Sequence, residues 1–366
     1  MSVSRLTLRH PSGTTPVIAG DGALEEFVQE VGGWVADRRV FVVTTPKVWN
    51  LHGEGLEPLL VTAAGNTRLE VPEGEAAKSV ASAQRLWGQM LTAGGKRDSR
   101  VIAFGGGSVG DLAGFVSGCF LRGVSFLQIP TTLLAQVDAS IGGKTGINLP
   151  EAKNSVGLFF QPWATVADTR FLSTLPVEEL RSGLLEVVKV GVVLDADLFE
   201  QLEVGLAGLL AGDAERLAPI VARAAQAKID VVEKDPHEND LRRMLNFGHT
   251  LGHALEAQMD YRSLRHGEAV GYGMLFALRL AGRRGMHLDD VDRIRHLILR
   301  FDLPELPSVN PADLLDLMDR DKKAREDGLT WILPTRVGSG QPTSEIEKEE
   351  ILHELNAFLT APLVDK

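Results

Sequence analysis

An α/β domain followed by an all-α domain is the fold class that three features of the sequence predict. Short apolar strand patterns alternate with helical patterns through the first half. One of these strands runs into a G-x-G-x-x-G turn that opens a helix. After about Leu175 the strand patterns nearly vanish. Strands separated by helices imply parallel pairing in a layered structure. A boundary near Ser173–Pro176 then divides residues 1–174 from residues 175–366.

Each element follows from its pattern. Arg39–Thr45 (RVFVVTT), Arg100–Phe104 (RVIAF), Val124–Pro130 (VSFLQIP) and Ala164–Thr169 are short apolar runs and read as strands. Ala76–Leu91 carries apolar residues at helical spacing. In the second half, Val177–Val193, Ala196–Leu210, Arg216–Glu233, Leu245–Gln258, Gly267–Arg284 and Val291–Phe301 read as helices. Thr330–Pro334 (TWILP) is the one late strand candidate, and Ile346–Leu359 reads as a closing helix. No internal repeat or low-complexity segment is present.

A chain of 366 residues exceeds one small core, which agrees with two domains. The net charge of −11 repels nucleic acid and anionic membrane, so neither is an expected partner. An anionic substrate would need its cations gathered locally against that field. The lone Cys119 lies in the apolar run Phe115–Leu121, where a small core residue is expected, and a single cysteine fits a reducing compartment. The start has no apolar h-region, and no apolar stretch approaches the ~18 residues that span a bilayer. A cytoplasmic location is expected.

Gly105-Gly106-Gly107-Ser108-Val109-Gly110-Asp111 satisfies the glycine fingerprint in its strand–turn–helix context. Backbone N–H groups there, with a helix N-terminus behind them, suit a pyrophosphate. The acid that an ordinary dinucleotide fingerprint carries about 20 residues on is missing. A glycine-rich turn without a ligand is the plain alternative. Gly142-Gly143-Lys144-Thr145 resembles the end of a P-loop, but Asp138 stands where that motif needs glycine.

His249 and His253 fall at i, i+4 on one helix face. Thr250 follows the first histidine, so the glutamate base of a zincin is absent. His266-Gly267-Glu268 opens another helix, and Glu186 lies in a third. Two histidines and a glutamate with an open position make one known catalytic metal set, which Glu186, His249 and His266 can supply. Capping or surface histidines are the commoner explanation for any one of them. His253 would then be a second-sphere or substrate-contacting base. Arg122, Lys144, Lys153-Asn154 and Lys189 occupy apolar, glycine-rich or turn settings, Arg242 precedes the histidine helix and Lys322-Lys323 end an acidic helix, whereas Lys228 falls on an ordinary amphipathic helix. Buried cations need partners. A phosphate- and carboxylate-bearing ligand would satisfy several at once, and local pairing, such as Lys189 with Glu186, is the alternative.

Together, GGGSVGDLAGF, FLRGVSFLQIPTTLLAQVDASIGGKTGIN, KNSVGLFFQP, LLEVVKVG, LRRMLNFGHTLGHALEA, HGEAVGYGM and DRDKK resemble the 3-dehydroquinate synthase family, in family order over about residues 70–340. The resemblance implies an N-terminal NAD-binding α/β domain and a C-terminal helical domain. It implies a divalent metal, zinc or cobalt, on Glu186, His249 and His266. NAD contacts are implied at Glu75, Lys78, Gly106, Gly107, Asp111, Thr131, Thr132, Lys144, Lys153, Phe171 and Thr174. Substrate contacts are implied at Asp138, Lys144, Lys153, Asn154, Lys189, Lys228, Arg242, Asn246, His253 and either Lys322 or Lys323. Arg122 matches a residue that reaches phosphate across a homodimer interface. The implied reaction converts 3-deoxy-D-arabino-heptulosonate 7-phosphate to 3-dehydroquinate and phosphate in the shikimate pathway. It runs through transient oxidation by NAD, phosphate elimination, re-reduction and intramolecular aldol closure. Thr44-Thr45-Pro46-Lys47 departs from the family's usual Asp- or Asn-containing turn. Leu185 and Val190 replace alanine and tyrosine. Other sugar phosphate cyclases, of valiolone, inosose or amino-dehydroquinate type, are the nearest rivals. Glycerol- or iron-type alcohol dehydrogenases and a non-catalytic NAD-sensing protein are more distant ones.

Overall fold

The computed structural model describes residues 3–238, 241–259, 264–306, 308–323 and 329–360, with 320–323 described by backbone alone. The strands are β1 (Val3–His10), β2 (Gly13–Gly20), β3 (Arg39–Thr44), β4 (Gly65–Glu70), β5 (Arg100–Gly105), β6 (Ser125–Pro130), β7 (Lys144–Leu149), β8 (Ala152–Phe159), β9 (Ala164–Asp168), β10 (Trp331–Arg336) and β11 (Ser339–Thr343). Seven form one sheet in the order β1-β2-β9-β6-β5-β3-β4. The β1–β2 hairpin is antiparallel, and every other pair in the sheet is parallel.

The expected strands are the buried ones. β3, β5 and β6 are buried along nearly their whole length, as strands covered on both faces must be. Alternation sends their side chains to two cores. Phe41, Val43, Val101, Ala103 and Phe126 face one core, with Leu86 and Met90 of helix Val80–Thr92 and Leu112 and Val116 of helix Gly107–Cys119. Val40, Val42, Ile102, Phe104 and Leu127 face the other. The polar, half-exposed strands β1, β4 and β8 carry no such apolar run and had no counterpart among the expected strands. Cys119 is exposed, not in the core, because it ends its helix beyond the last covered turn.

The chain forms two compact units, residues 1–180 with 211–233, and residues 181–210 with 234–366. This departs from the division at residue 174. The helix Ala214–Lys234 packs Ala225, Ile229 and Val232 against Leu8 and Val17 of the hairpin, which draws it into the first unit. The second unit is mostly helical, with helices Ala196–Leu210, His249–Gln258, His266–Arg283, Leu288–Leu299, Pro311–Lys323 and Lys348–Thr360. Its expected strand, β10, pairs with β11 in a hairpin, and Trp331 packs its ring 5.4 Å from that of Phe276. The expected helix over Leu245–Gln258 starts later, at His249, because Gly248 takes φ +81° behind a 3-10 turn, Leu241–Asn246. Among the described residues no helix is long and apolar enough to cross a membrane.

Candidate active site

Strand order fixes the candidate cofactor site of the first unit. β3, β4, β5, β6 and β9 are the successive parallel strands, and their spatial order is β4-β3-β5-β6-β9. The chain therefore reverses direction across the sheet between β3 and β5. Open α/β sheets bind ligands at that switch point, outside the carboxyl ends of the strands. Thr44 ends β3 there and Gly105 ends β5. Gly106 caps the helix Gly107–Cys119 without a side-chain hydrogen bond. A Cβ at Gly106 would stand 3.0 Å from the Thr132 methyl, and one at Gly110 would stand 2.4 Å from Gln128 Oε1 on β6. The first glycine thus leaves bare backbone at the strand end, and the second lets the helix press on the sheet.

A polar cluster surrounds this loop. Lys78 Nζ donates to Asp111 Oδ2 at 2.7 Å and also to Asn154 Oδ1. Glu75 accepts from Ser108 Oγ (3.0 Å) and Asn148 Nδ2 (2.7 Å), and Asn148 Oδ1 accepts from Asn154 N (2.8 Å). Burial pushes the Glu75 carboxyl up, but Lys78, Asn148 and Lys153 outweigh it and hold the group below its ordinary range. Burial pushes Asp111 up despite Lys78. Lys228 Nζ donates to the Asp138 carbonyl at 2.5 Å and pairs with its carboxylate. Asp138 sits in a π-helical turn, Ala135–Ala139, and Thr132 Oγ1 accepts from Ala135 N at its start. Thr131 is buried at the end of β6. Phe171 packs on Phe104 and, edge-on, on His52, whose Nε2 lies 2.8 Å from Thr174 Oγ1. Lys144 opens β7 and Lys153 lies on β8. Leu121 and Arg122 form an exposed turn in which both adopt positive φ, +50° and +69°.

In the second unit, close backbone contacts assemble a His/His/Glu cluster. Ser182 lies one turn before Glu186 in helix Val177–Leu194. Gly267 N donates to Ser182 Oγ at 2.9 Å, and a Cβ at Gly267 would stand 2.1 Å from the Ser182 carbonyl. That contact brings His266, the first residue of its helix, beside Glu186. Gly273 approaches Gly248 as closely: a Cβ there would stand 1.8 Å from the Gly248 carbonyl. That contact brings His249, the first residue of its own helix, to the same carboxylate. Ligand atoms of Glu186, His249 and His266 all lie within 4.8 Å of one another. Glu186 Oε2 accepts from Lys189 Nζ at 2.5 Å, with both groups buried. Glu186 Oε1 is buried, has no hydrogen-bond partner, and faces His266 Nε2 at 3.6 Å and His249 Nε2 at 3.9 Å. Burial, then the Lys189 charge, push His249 well below its ordinary value. Burial also opposes the charge on His266, but its contact with Glu256 and the charge of Glu186 raise it. One carboxylate oxygen and two imidazole nitrogens, converging at distances too long for hydrogen bonds, form a donor set that fits a divalent ion with an open position.

The N-terminal family description of 3-dehydroquinate synthase matches residues 68–182, and the C-terminal description matches residues 183–324. A 3-dehydroquinate synthase of Pelotomaculum thermopropionicum is 43% identical over 346 residues, covering 93% of each chain. The chain belongs to the 3-dehydroquinate synthase family. Solved structures agree with the fold. A 2-epi-5-epi-valiolone synthase from Streptomyces hygroscopicus subsp. jinggangensis, with NAD+ and Zn2+ bound, is 29% identical with a TM-score of 0.82, covering 88% of this chain and 91% of its own. A 2-deoxy-scyllo-inosose synthase complexed with carbaglucose-6-phosphate, NAD+ and Co2+ is 25% identical with a TM-score of 0.87, covering 97% and 99%.

Within this member of the 3-dehydroquinate synthase family, most expected site residues fall into the two clusters. Arg242 is buried, with its guanidinium donating to the Pro236 carbonyl at 2.8 Å, and Asn246 Nδ2 donates to Glu238 at 2.8 Å. His253 is exposed on its helix with its ring 5.2 Å from that of His249. Lys322 lies in the last turn of the helix Pro311–Lys323, and its side chain lies outside the described residues. Lys189 does pair with Glu186, as the local alternative anticipated. Sequence reasoning passed over Ser108, Asn148, His52 and Glu256. Glu256 carried a signal: it stands at i+7 from His249, on the face that also holds His253.

Proposed function

We propose that the chain acts as a 3-dehydroquinate synthase, converting 3-deoxy-D-arabino-heptulosonate 7-phosphate to 3-dehydroquinate and phosphate. This is a carbon–oxygen lyase reaction of the shikimate pathway. The observation that carries the reading is the partnerless, buried Glu186 Oε1 facing Nε2 of both His249 and His266. These three residues fit one divalent ion, zinc or cobalt. When bound there it would lower the pKa of a coordinated substrate hydroxyl. NAD on the glycine loop would supply the hydride acceptor for that carbon, with no net redox change.

The chain's own residues bind and orient. Gly106 and Gly107 offer backbone N–H groups to the cofactor pyrophosphate. Glu75, Lys78, Asp111, Thr131, Thr132, Phe171 and Thr174 line the rest of the cofactor's path, joined by Lys144 and Lys153. Lys144, Lys153, Asn154, His253 and Arg122 hold the substrate phosphate, and Lys228 and Arg242 hold its carboxylate. Charged donors suit both anions. Asp138, Lys189 and Asn246 orient hydroxyls near the metal, and Lys322 adds a further substrate contact. Lys189 and Lys228 already stand against carboxylates, so an anionic substrate exchanges one acceptor for another and exposes no naked buried charge. Arg122 serves the site of a second copy, which makes the working form a homodimer. The cytoplasm, where a lone thiol stays reduced, is the proposed location.

The test is direct. Metal-loaded protein with NAD and the heptulosonate phosphate should release stoichiometric phosphate and dehydroquinate without net NADH, and chelator should abolish both. Turnover of sedoheptulose 7-phosphate instead would assign a cyclase whose substrate lacks the carboxylate. NADH accumulating with a simple alcohol would assign a dehydrogenase.

A further inference from the structure

The helix His249–Gln258 turns a third side chain toward the same cluster. Glu256 is buried, and its Oε2 lies 3.1 Å from His266 Nδ1. The other nitrogen of that ring, Nε2, is the one that faces Glu186 Oε1. His249 is arranged alike: its Nδ1 lies 3.2 Å from the Phe247 carbonyl, and its Nε2 faces the same Glu186 oxygen. In each ring an acceptor on Nδ1 leaves the Nε2 lone pair for the shared point. The acceptors differ in strength, since a main-chain carbonyl is neutral and a carboxylate is charged.

We propose that Glu256 is the positioning residue of the metal site, accepting the Nδ1–H of His266 and so directing Nε2 at the cation. The proposal rests on the reading of Glu186, His249 and His266 as the metal ligands. His266 needs such a brace more than its partners do. It is the more open of the two imidazoles, with 30% side-chain exposure against 12% for His249. A carboxylate on the far nitrogen fixes the tautomer, holds the ring plane and raises ligand basicity.

The experiment is a Co2+ titration of the chelator-stripped full chain, read by competition with a chromophoric chelator and by the visible absorption of the bound ion. Glu256→Gln keeps the shape and an acceptor oxygen but removes the charge; Glu256→Ala removes the acceptor. Losses of ~10-fold for Gln and up to ~100-fold for Ala are expected, the range for removing a ligand's outer partner. The thermal midpoint of stripped Glu256→Gln should match that of the stripped wild type, and the cobalt absorption bands should shift in Glu256→Ala. Should Glu256→Ala fail to fold, Glu256→Gln decides alone. Wild-type Co2+ affinity in the Glu256 variants, beside loss of binding in His266→Ala, would overturn the proposal. Wild-type affinity in His266→Ala would overturn the metal reading beneath it.

Discussion

At the residue scale each unit carries its own set of paired charges. Glu186→Gln keeps the shape of the side chain but removes the charge opposite Lys189, leaving a buried ammonium beside a neutral amide. Removing one partner of a buried pair costs about 3–5 kcal/mol. Thermal denaturation should therefore show a clear drop for Glu186→Gln, and bound metal should be lost with it. Lys189→Met removes the cation from the same pair and should abolish turnover while metal analysis still finds an ion. Glu75 makes a pH prediction. Its folded-state value is depressed, so its contribution is fully present above the unfolded carboxyl value and fades as pH falls through the folded one. Urea midpoints of the wild type should fall more than those of Glu75→Gln as pH drops from about 5 to about 3, through and below the ordinary Glu value. Legibility was uneven here. Histidines at i, i+4 and a glutamate in an apolar helix were visible, but neutral partners such as Ser108 and Asn148 carry no signal, because many surface side chains look the same. The glycine fingerprint was legible as a motif, and strand order placed it at the switch point of the sheet.

At the element scale, the His/His/Glu cluster depends on helices meeting backbone to backbone. An added methyl at Gly273 would overlap the Gly248 carbonyl, and at Gly267 the Ser182 carbonyl. Backbone cannot rotate aside as a side chain can, so the helices must part. Gly267→Ala and Gly273→Ala should each destabilise by roughly 1–3 kcal/mol, the usual cost of overpacking. They should also weaken Co2+ binding, although neither residue is a ligand. Denaturant melts paired with metal titrations would check both effects. Apolar central strands and long amphipathic helices were legible because burial on both faces, or on one stripe, leaves a periodic mark. The hairpin β1–β2, the edge strand β4 and the hairpin β7–β8 were not, since half-exposed strands mix polar and apolar residues without a long apolar run.

At the scale of the whole molecule, the sequence hid one exchange. Helix Ala214–Lys234 reads as one more amphipathic helix of the second half, yet its apolar stripe completes the core beneath the first hairpin. Helical periodicity tells which face is buried but not against what. The proposed homodimer has its own test. Arg122→Ala and His266→Ala should each be inactive alone, but dimers mixed by refolding should regain activity. Random pairing puts half of the dimers in the mixed form, each with one intact site, or about a quarter of wild-type sites. No recovery would place Arg122 in its own subunit's site. The turn that carries Arg122 has a further consequence, for selection. Leu121 and Arg122 hold left-handed backbone that glycine adopts without strain, at about 1 kcal/mol per residue. Leu121→Gly should therefore raise the melting temperature and lower kcat/KM. A lineage screened for heat resistance alone would drift toward that glycine, and one screened for flux would keep the leucine.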